Sequence, residues 1–242
     1  MKSSVSRAVM AASVTVALGL TAACGSDNGN GASGDNGKKS SEKPAAVKPA
    51  AKKPAVLTTA DLNKAALVKG DLKGYKVEKM SAADMPAQTV PADPAACQPL
   101  ANMFMFAGRP AAEARIGRNV TSKNEMDATV ISFALLAHEQ GDAEKVMDGL
   151  RTATKKCTSY EHAGSKYRDV AALTAPKAGD DAVSYKVVGD IEGQKTPMSF
   201  TVVRSGSTVA AFYSINLLKP KKFGVPTEIV EAQVNKLEKA SK

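Results

Sequence analysis

The chain has no tryptophan, only two histidines and three cysteines in 242 residues, and aromatic residues make up 5% of it. Each shortage excludes a class of function. Two isolated histidines, His138 and His162, and two cysteines in the folded region cannot complete a tetrahedral ligand set, so no metal and no cofactor is expected. Nucleic-acid binding needs basic residues gathered on one face with aromatics between them, and that pattern is missing, so no nucleic-acid partner is expected. The longest apolar run, Ala8 to Leu20, is about 13 residues, short of the roughly 20 that span a bilayer. No Gly-x-Ser-x-Gly elbow, His-Glu-x-x-His pair or calcium loop occurs, so no catalytic residue is named and the chain reads as a non-enzyme. Ser40 and Lys43 have the Ser-x-x-Lys spacing, but in a segment where nothing can hold them in place.

What is present begins with an export signal. Lys2 and Arg7 precede the apolar run, and Thr21-Ala22-Ala23-Cys24-Gly25-Ser26 comes after it. A basic start, a short apolar core and small residues before a cysteine describe a lipoprotein signal over residues 1–23, with Cys24 as the lipidated residue. Thr21 stands where the pattern prefers an aliphatic residue. The alternative is an ordinary secretory signal cut after Ala23, with Cys24 merely adjacent. Two acyl chains on Cys24 give stable anchoring where one is marginal. The expected place is the extracytoplasmic face of the cell membrane, with the membrane itself as a partner through the lipid.

Residues 24–55 read as a disordered stalk. Its first half is rich in Gly, Ser, Asn and Asp, and its second half sets Pro44, Pro49 and Pro54 among lysines. The first is flexible; the second favours extended polyproline II, and like charge stretches it further. The r.m.s. reach of such a flexible tether is roughly 30 Å. The lysines either lie on an anionic surface of lipid or wall polymer, or only keep the tether soluble. The signal carries two of the nine net positive charges and the stalk three, which leaves four on the rest.

Residues 56–242 have the length of one domain. Thr58 and Asp61 read as a capping-box start to a helix that Gly70 ends. Tyr75 to Met80 reads as a strand. Asp93-Pro94 is expected to cap a second helix, with Cys97, Ala101 and Phe104 on one face. Arg115 to Ser122 and Asp127 to His138 are β-rich. Gly141-Asp142 precedes a helix over Ala143 to Lys156 with Val146, Leu150, Ala153 and Cys157 on one stripe. Val183, Tyr185 and Val187 alternate with polar residues, and Phe200 to Arg204 and Thr208 to Asn216 flank a tight turn at Ser205-Gly206-Ser207. A helix over Pro226 to Lys239 buries Val230, Val234 and Leu237. Hairpins without alternating helices give an α+β class: an antiparallel β-sheet with packed α-helices.

Cys97 and Cys157 are an even pair in an exported domain, which favours a disulfide over two separate buried thiols. The two histidines read as ordinary surface or edge residues. Met103, Met105, Met126 and Met147 read as core filler in preference to a copper(I) set. Asp180 and Asp181 read as a turn in preference to half of an acid pair. Asn119-Val120-Thr121 fits a glycosylation sequon inside a strand.

Taken together, Thr58 to Leu62, Gly70-Asp71-Leu72-Lys73-Gly74-Tyr75, the helix with Cys97, Gly141-Asp142-Ala143, Cys157, Gly179-Asp180-Asp181-Ala182, the Val202 to Ser207 hairpin and Ala232 to Leu237 resemble a known pattern. It is that of actinobacterial lipoproteins related to the extracellular sensor domain of PknH-type Ser/Thr kinases. The resemblance implies an α+β, sandwich-like domain with a cleft beside the sheet for an unknown small ligand or envelope component. No binding residue carries over. The chain departs from the kinase sensors in having two domain cysteines where those have four, and no kinase. The other reading is an envelope protein–protein interaction or structural module without a small ligand. Neither reading fixes an oligomeric state.

Overall fold

The computed structural model describes residues 55–242, apart from residues 82, 87, 125, 192, 217, 220 and 242. The signal, Cys24, Ser40, Lys43 and nearly all of the stalk lie outside the described residues. The described elements run α1 (Thr59–Ala65), β1 (Tyr75–Lys79), β2 (Ala92–Asp93), α2 (Gln98–Asn102), β3 (Ala114–Ser122), β4 (Thr129–Ala137), α3 (Gln140–Lys156), β5 (Tyr160–His162), β6 (Ser165–Leu173), β7 (Asp181–Ile191), β8 (Gln194–Ser205), β9 (Thr208–Asn216) and α4 (Thr227–Ala240). The strands form one antiparallel sheet in the order β1-β3-β4-β9-β8-β7-β6-β5-β2. The α+β expectation holds.

Strand alternation gives this sheet two buried faces. In β9, Val209 and Ala211 join one core while Ala210 and Phe212 join the other. In β8 the split is Phe200 and Val202 against Val203. The first core lies under α2 and α3, with Leu100, Val146, Met147 and Leu150 meeting Tyr185, Phe200 and Val202. The second lies under α1 and α4, with Leu62, Ile229, Val230, Val234 and Leu237 meeting Phe133, Val203 and Phe212. The architecture is helix, sheet, helix.

The hairpin at Ser205-Gly206-Ser207 is present, and Gly206 supplies the positive φ that the turn needs (57°). The capping box of α1 is also present: Asp61 N–H donates to Thr58 Oγ1 at 3.3 Å and Thr58 N–H to Asp61 Oδ2 at 3.2 Å. The helix ends at Ala65, five residues before Gly70. Its end is set across the molecule by Gln233, which accepts from Leu67 N–H and donates to the Ala65 carbonyl, both at 2.9 Å.

Two other starts differ from expectation. Asp93 does not cap a helix; it pairs with Glu161 in the β2–β5 ladder. The chain continues through a 3₁₀ turn (Ala95–Cys97), the short α2 and a second 3₁₀ turn (Met103–Met105). Pro99 has no N–H to continue an α-helical ladder begun at residue 95, so the helix restarts at Gln98. The long helix begins at Gln140, not Ala143, because the Glu139 carbonyl accepts from both Asp142 and Ala143 N–H at 3.0 Å. Gly141 and Asp142 are its first turn.

Candidate functional site

The second 3₁₀ turn ends on Phe106, whose φ of 49° is left-handed and reverses the chain. The Phe106 ring is buried and stacks on Tyr213 at a centroid distance of 5.5 Å. Ala107 N–H closes the reversal on the Asn102 carbonyl at 3.0 Å. Gly108 then passes so close to α3 that a Cβ would lie 3.1 Å from Val146 Cγ2 and 3.4 Å from His138 Cε1. Only glycine fits there without a shift. The 107–112 loop is thereby pressed against the end of β4 and the flank of α3.

Beside this loop is a hollow of about 670 Å³, within the 300–1,000 Å³ usual for small-ligand sites. Gln88, Thr89, Arg109 and Arg115 give it its polar wall, and Ala107, Pro110 and Ala111 its apolar one. Arg115, at the start of β3, donates through Nη2 to the Met85 carbonyl at 2.7 Å and through Nη1 to the Met105 and Phe106 carbonyls, each at 3.4 Å. Burial lowers its pKa from a starting value so high that the guanidinium stays charged. Arg109 is exposed and donates to Thr89 Oγ1 at 2.8 Å. The lining contains no acidic side chain among the described residues.

Between α2 and α3 is a second hollow of about 260 Å³. Pro99, Met103, Val146 and Leu150 make its wall apolar, and Arg109 lines this hollow as well as the first. A third, of about 460 Å³, sits where Tyr160 and Tyr167 stack at 4.9 Å. Both of its cations meet an acid: Lys166 pairs with Glu161 at 3.3 Å and Arg168 with Asp190 at 2.9 Å. In the first hollow neither cation meets a carboxylate among the described residues.

Cys97 and Cys157 form the expected disulfide, with Cα atoms 5.5 Å apart, joining the turn before α2 to the end of α3. The histidines overturn the surface expectation. His138 and His162 are 1% and 3% exposed, and among the described residues no ring nitrogen of either makes a well-aligned hydrogen bond. Burial pushes both below the ordinary histidine pKa; the Asp142 carboxylate and the Ala111 backbone oppose this at His138, and the Val90 backbone at His162. No Ser–His pair forms among the described residues, and no cluster of three metal-ligating side chains occurs there.

Asp180 and Asp181 do not act as an acid pair. Asp180 accepts from Gly206 N–H at 2.7 Å and Arg204 Nη1 at 3.0 Å, which fixes the β8–β9 turn, and Asp181 takes both oxygens to Arg151 Nη2. Met103 and Met147 are core residues as expected, whereas Met126 is 74% exposed. Asn119 lies in β3 and accepts from Ser132 Oγ at 2.7 Å. Sequence reasoning missed Arg109 and Arg115. Their one signal was the Gly108-Arg109-Pro110 turn ahead of a strand, which has no periodicity to mark it.

No protein-family model matches this chain, and no curated protein does. Among solved structures, the extracellular domain of PknH from Mycobacterium tuberculosis is similar at 10% identity and a TM-score of 0.47, over 77% of this chain and 98% of that one. An uncharacterized protein from Mycobacterium smegmatis is similar at 12% identity and a TM-score of 0.40, over 70% of this chain and 90% of that one. At these scores neither likeness extends to function.

Proposed function

We propose that this chain is a lipid-anchored extracytoplasmic lipoprotein whose domain binds a small ligand or envelope component in the hollow at Arg109 and Arg115, without catalysing a reaction. The observation that carries the reading is the hollow: a ligand-sized space whose polar wall of Gln88, Thr89, Arg109 and Arg115 adjoins an apolar one of Ala107, Pro110 and Ala111. The export signal, Cys24 and the stalk supply the setting, held away from the bilayer at the end of a tether.

The Cys24→Ala chain tests the setting first, because it is expected to leave the membrane fraction and appear in the medium. Retention in the membrane would sink the lipid anchor. The secreted chain is then heated with envelope lipids, sugars and peptides, one class at a time. A ligand that binds the folded state raises its melting temperature with concentration. No shift from any class would remove the ligand reading.

One observation favours the second reading, docking on an envelope protein. Met126, Val130 and Leu218 are exposed at one end of the β4–β9 pair, where Thr129 faces Asn216. Cross-linking from Met126 that captures a specific partner, with a flat ligand screen, is the outcome that reading expects.

A further inference from the structure

The arginines of this domain divide into two groups. Arg151, Arg168 and Arg204 each meet an aspartate, at 2.6, 2.9 and 3.0 Å. Arg118 is buried on the other face of the sheet and spends its donors on the Leu67 and Gly117 carbonyls and on Asn63 Oδ1. Arg109 and Arg115 differ from all of these: they share one hollow, and neither meets a carboxylate among the described residues. A guanidinium has five N–H donors. Arg115 makes three contacts, all to carbonyls, which fix its plane without cancelling its charge. Arg109 makes one. Both keep donors that find no acceptor among the described residues.

The smaller hollow adds the other half. Its wall of Pro99, Met103, Val146 and Leu150 offers apolar contact and no charge except Arg109, which belongs to both spaces. Gly149 leaves room there: a Cβ at this position would meet nothing nearer than Pro99 Cγ at 3.7 Å. A ligand matched to both spaces has compact anionic oxygens at one end and an apolar part at the other.

We propose that the two hollows together bind an anionic amphiphile, its phosphoryl or carboxylate group between Arg109 and Arg115 and its apolar part between α2 and α3. This rests on the ligand-binding reading above and names the chemical class. Phosphate and carboxylate oxygens both accept charge-assisted, paired N–H bonds from guanidinium, which is the chemistry they share. The apolar part gains by leaving water for the Met103–Leu150 wall.

The test uses the secreted, nitrogen-15-labelled Cys24→Ala chain and follows backbone amide shifts with three probes below their micelle concentrations. Inorganic phosphate is anionic only, octyl glucoside apolar only, and octyl phosphate both. Octyl phosphate is expected to move the amides of residues 106–112 and of Gly149 and Leu150, and to bind at least about tenfold more tightly than either other probe. Inorganic phosphate is expected to move the first set alone. Arg109→Gln, at an exposed side chain with one hydrogen bond, is expected to weaken octyl phosphate about tenfold. Gly149→Leu fills the smaller hollow and is expected to remove the advantage of octyl phosphate over inorganic phosphate. Arg115→Gln is expected to act like Arg109→Gln, but the arginine 109 variant decides if that protein misfolds. Equal binding of octyl glucoside and octyl phosphate, or an Arg109→Gln protein that binds as before, overturns the anionic class and leaves the ligand reading standing. Amides that move with none of these probes, nor with the wider screen, overturn both.

Discussion

Single side chains here are governed by what surrounds them more than by what they are. A histidine at a strand end and another in a polar stretch give no sign of burial in the sequence. His138 is covered by the 107–112 loop and α3, and His162 by the aromatic group of Phe104 and Tyr167. Desolvation lowers the pKa of both, and the direction has a consequence. Above about pH 6.5 the folded and unfolded chains both hold neutral imidazoles, so there is no linkage. Below it, the unfolded chain takes up protons that the fold declines, and stability falls. Asp127 acts lower down: hydrogen bonds from Lys222 and Thr129 hold it at about 2, so its contribution disappears as pH falls from about 4 toward that value. The melting temperature should therefore drop between pH 7 and pH 5, and again below pH 4. A His138→Gln, His162→Gln double variant should flatten the first drop while keeping the second. A wild-type curve flat from pH 7 to 5 would show that neither histidine's pKa is lowered by the fold. Arg115 was hidden in the sequence for a similar reason: its strand was legible, but its three carbonyl partners come from residues 85, 105 and 106, which no spacing connects to it.

Elements were legible where one periodicity ran long, as in the capping box of α1, the β8–β9 hairpin and the Val230, Val234, Leu237 stripe of α4. They were obscure where local and distant forces compete. Cys97, Ala101 and Phe104 have helical spacing, yet Pro99 divides the segment into three short turns. The strand-like stretch after Cys157 gives no bounds for Ser165–Leu173, because this strand bulges between Arg168 and Ala171, which breaks its alternation. The end of α1 is decided by a residue 168 positions away, where Gln233 satisfies Ala65 as well as Leu67. Gln233→Leu keeps the volume but leaves a buried N–H and a buried carbonyl unpaired, a loss of about 2–4 kcal/mol. Urea denaturation measures it, and a change under about 0.5 kcal/mol would mean that water replaces the amide. The disulfide belongs to this scale too, since it closes a 60-residue separation and ties α2 to α3 on either side of the smaller hollow. A Cys97→Ala, Cys157→Ala variant should lose up to about 4 kcal/mol by the chain-entropy account. It should also lose more affinity for octyl phosphate than for inorganic phosphate, because only the apolar wall is loosened.

The molecule as a whole has two cores that share one sheet. Strands β4, β8 and β9 send alternate side chains to each, so neither core can empty without pulling strands out of the other. Phe200 stands on the α2–α3 side and Phe212 on the α1–α4 side, and both are fully buried. Truncating either to alanine removes a large buried ring and leaves a cavity, at a cost of about 3–5 kcal/mol. If the sheet couples the faces, each variant should still unfold in one transition, shifted to lower denaturant, with circular dichroism and tyrosine fluorescence coincident. Two separated transitions in either variant would show that one face melts alone. The distinction bears on function, because the candidate hollows lie wholly on the α2–α3 side. In a coupled molecule, a ligand bound between Arg109 and Arg115 stabilises α1 and α4 as much as its own face. Octyl phosphate should then restore part of the stability lost in Phe212→Ala, across a sheet that it never touches, and failure to do so would place the two cores in separate folding units.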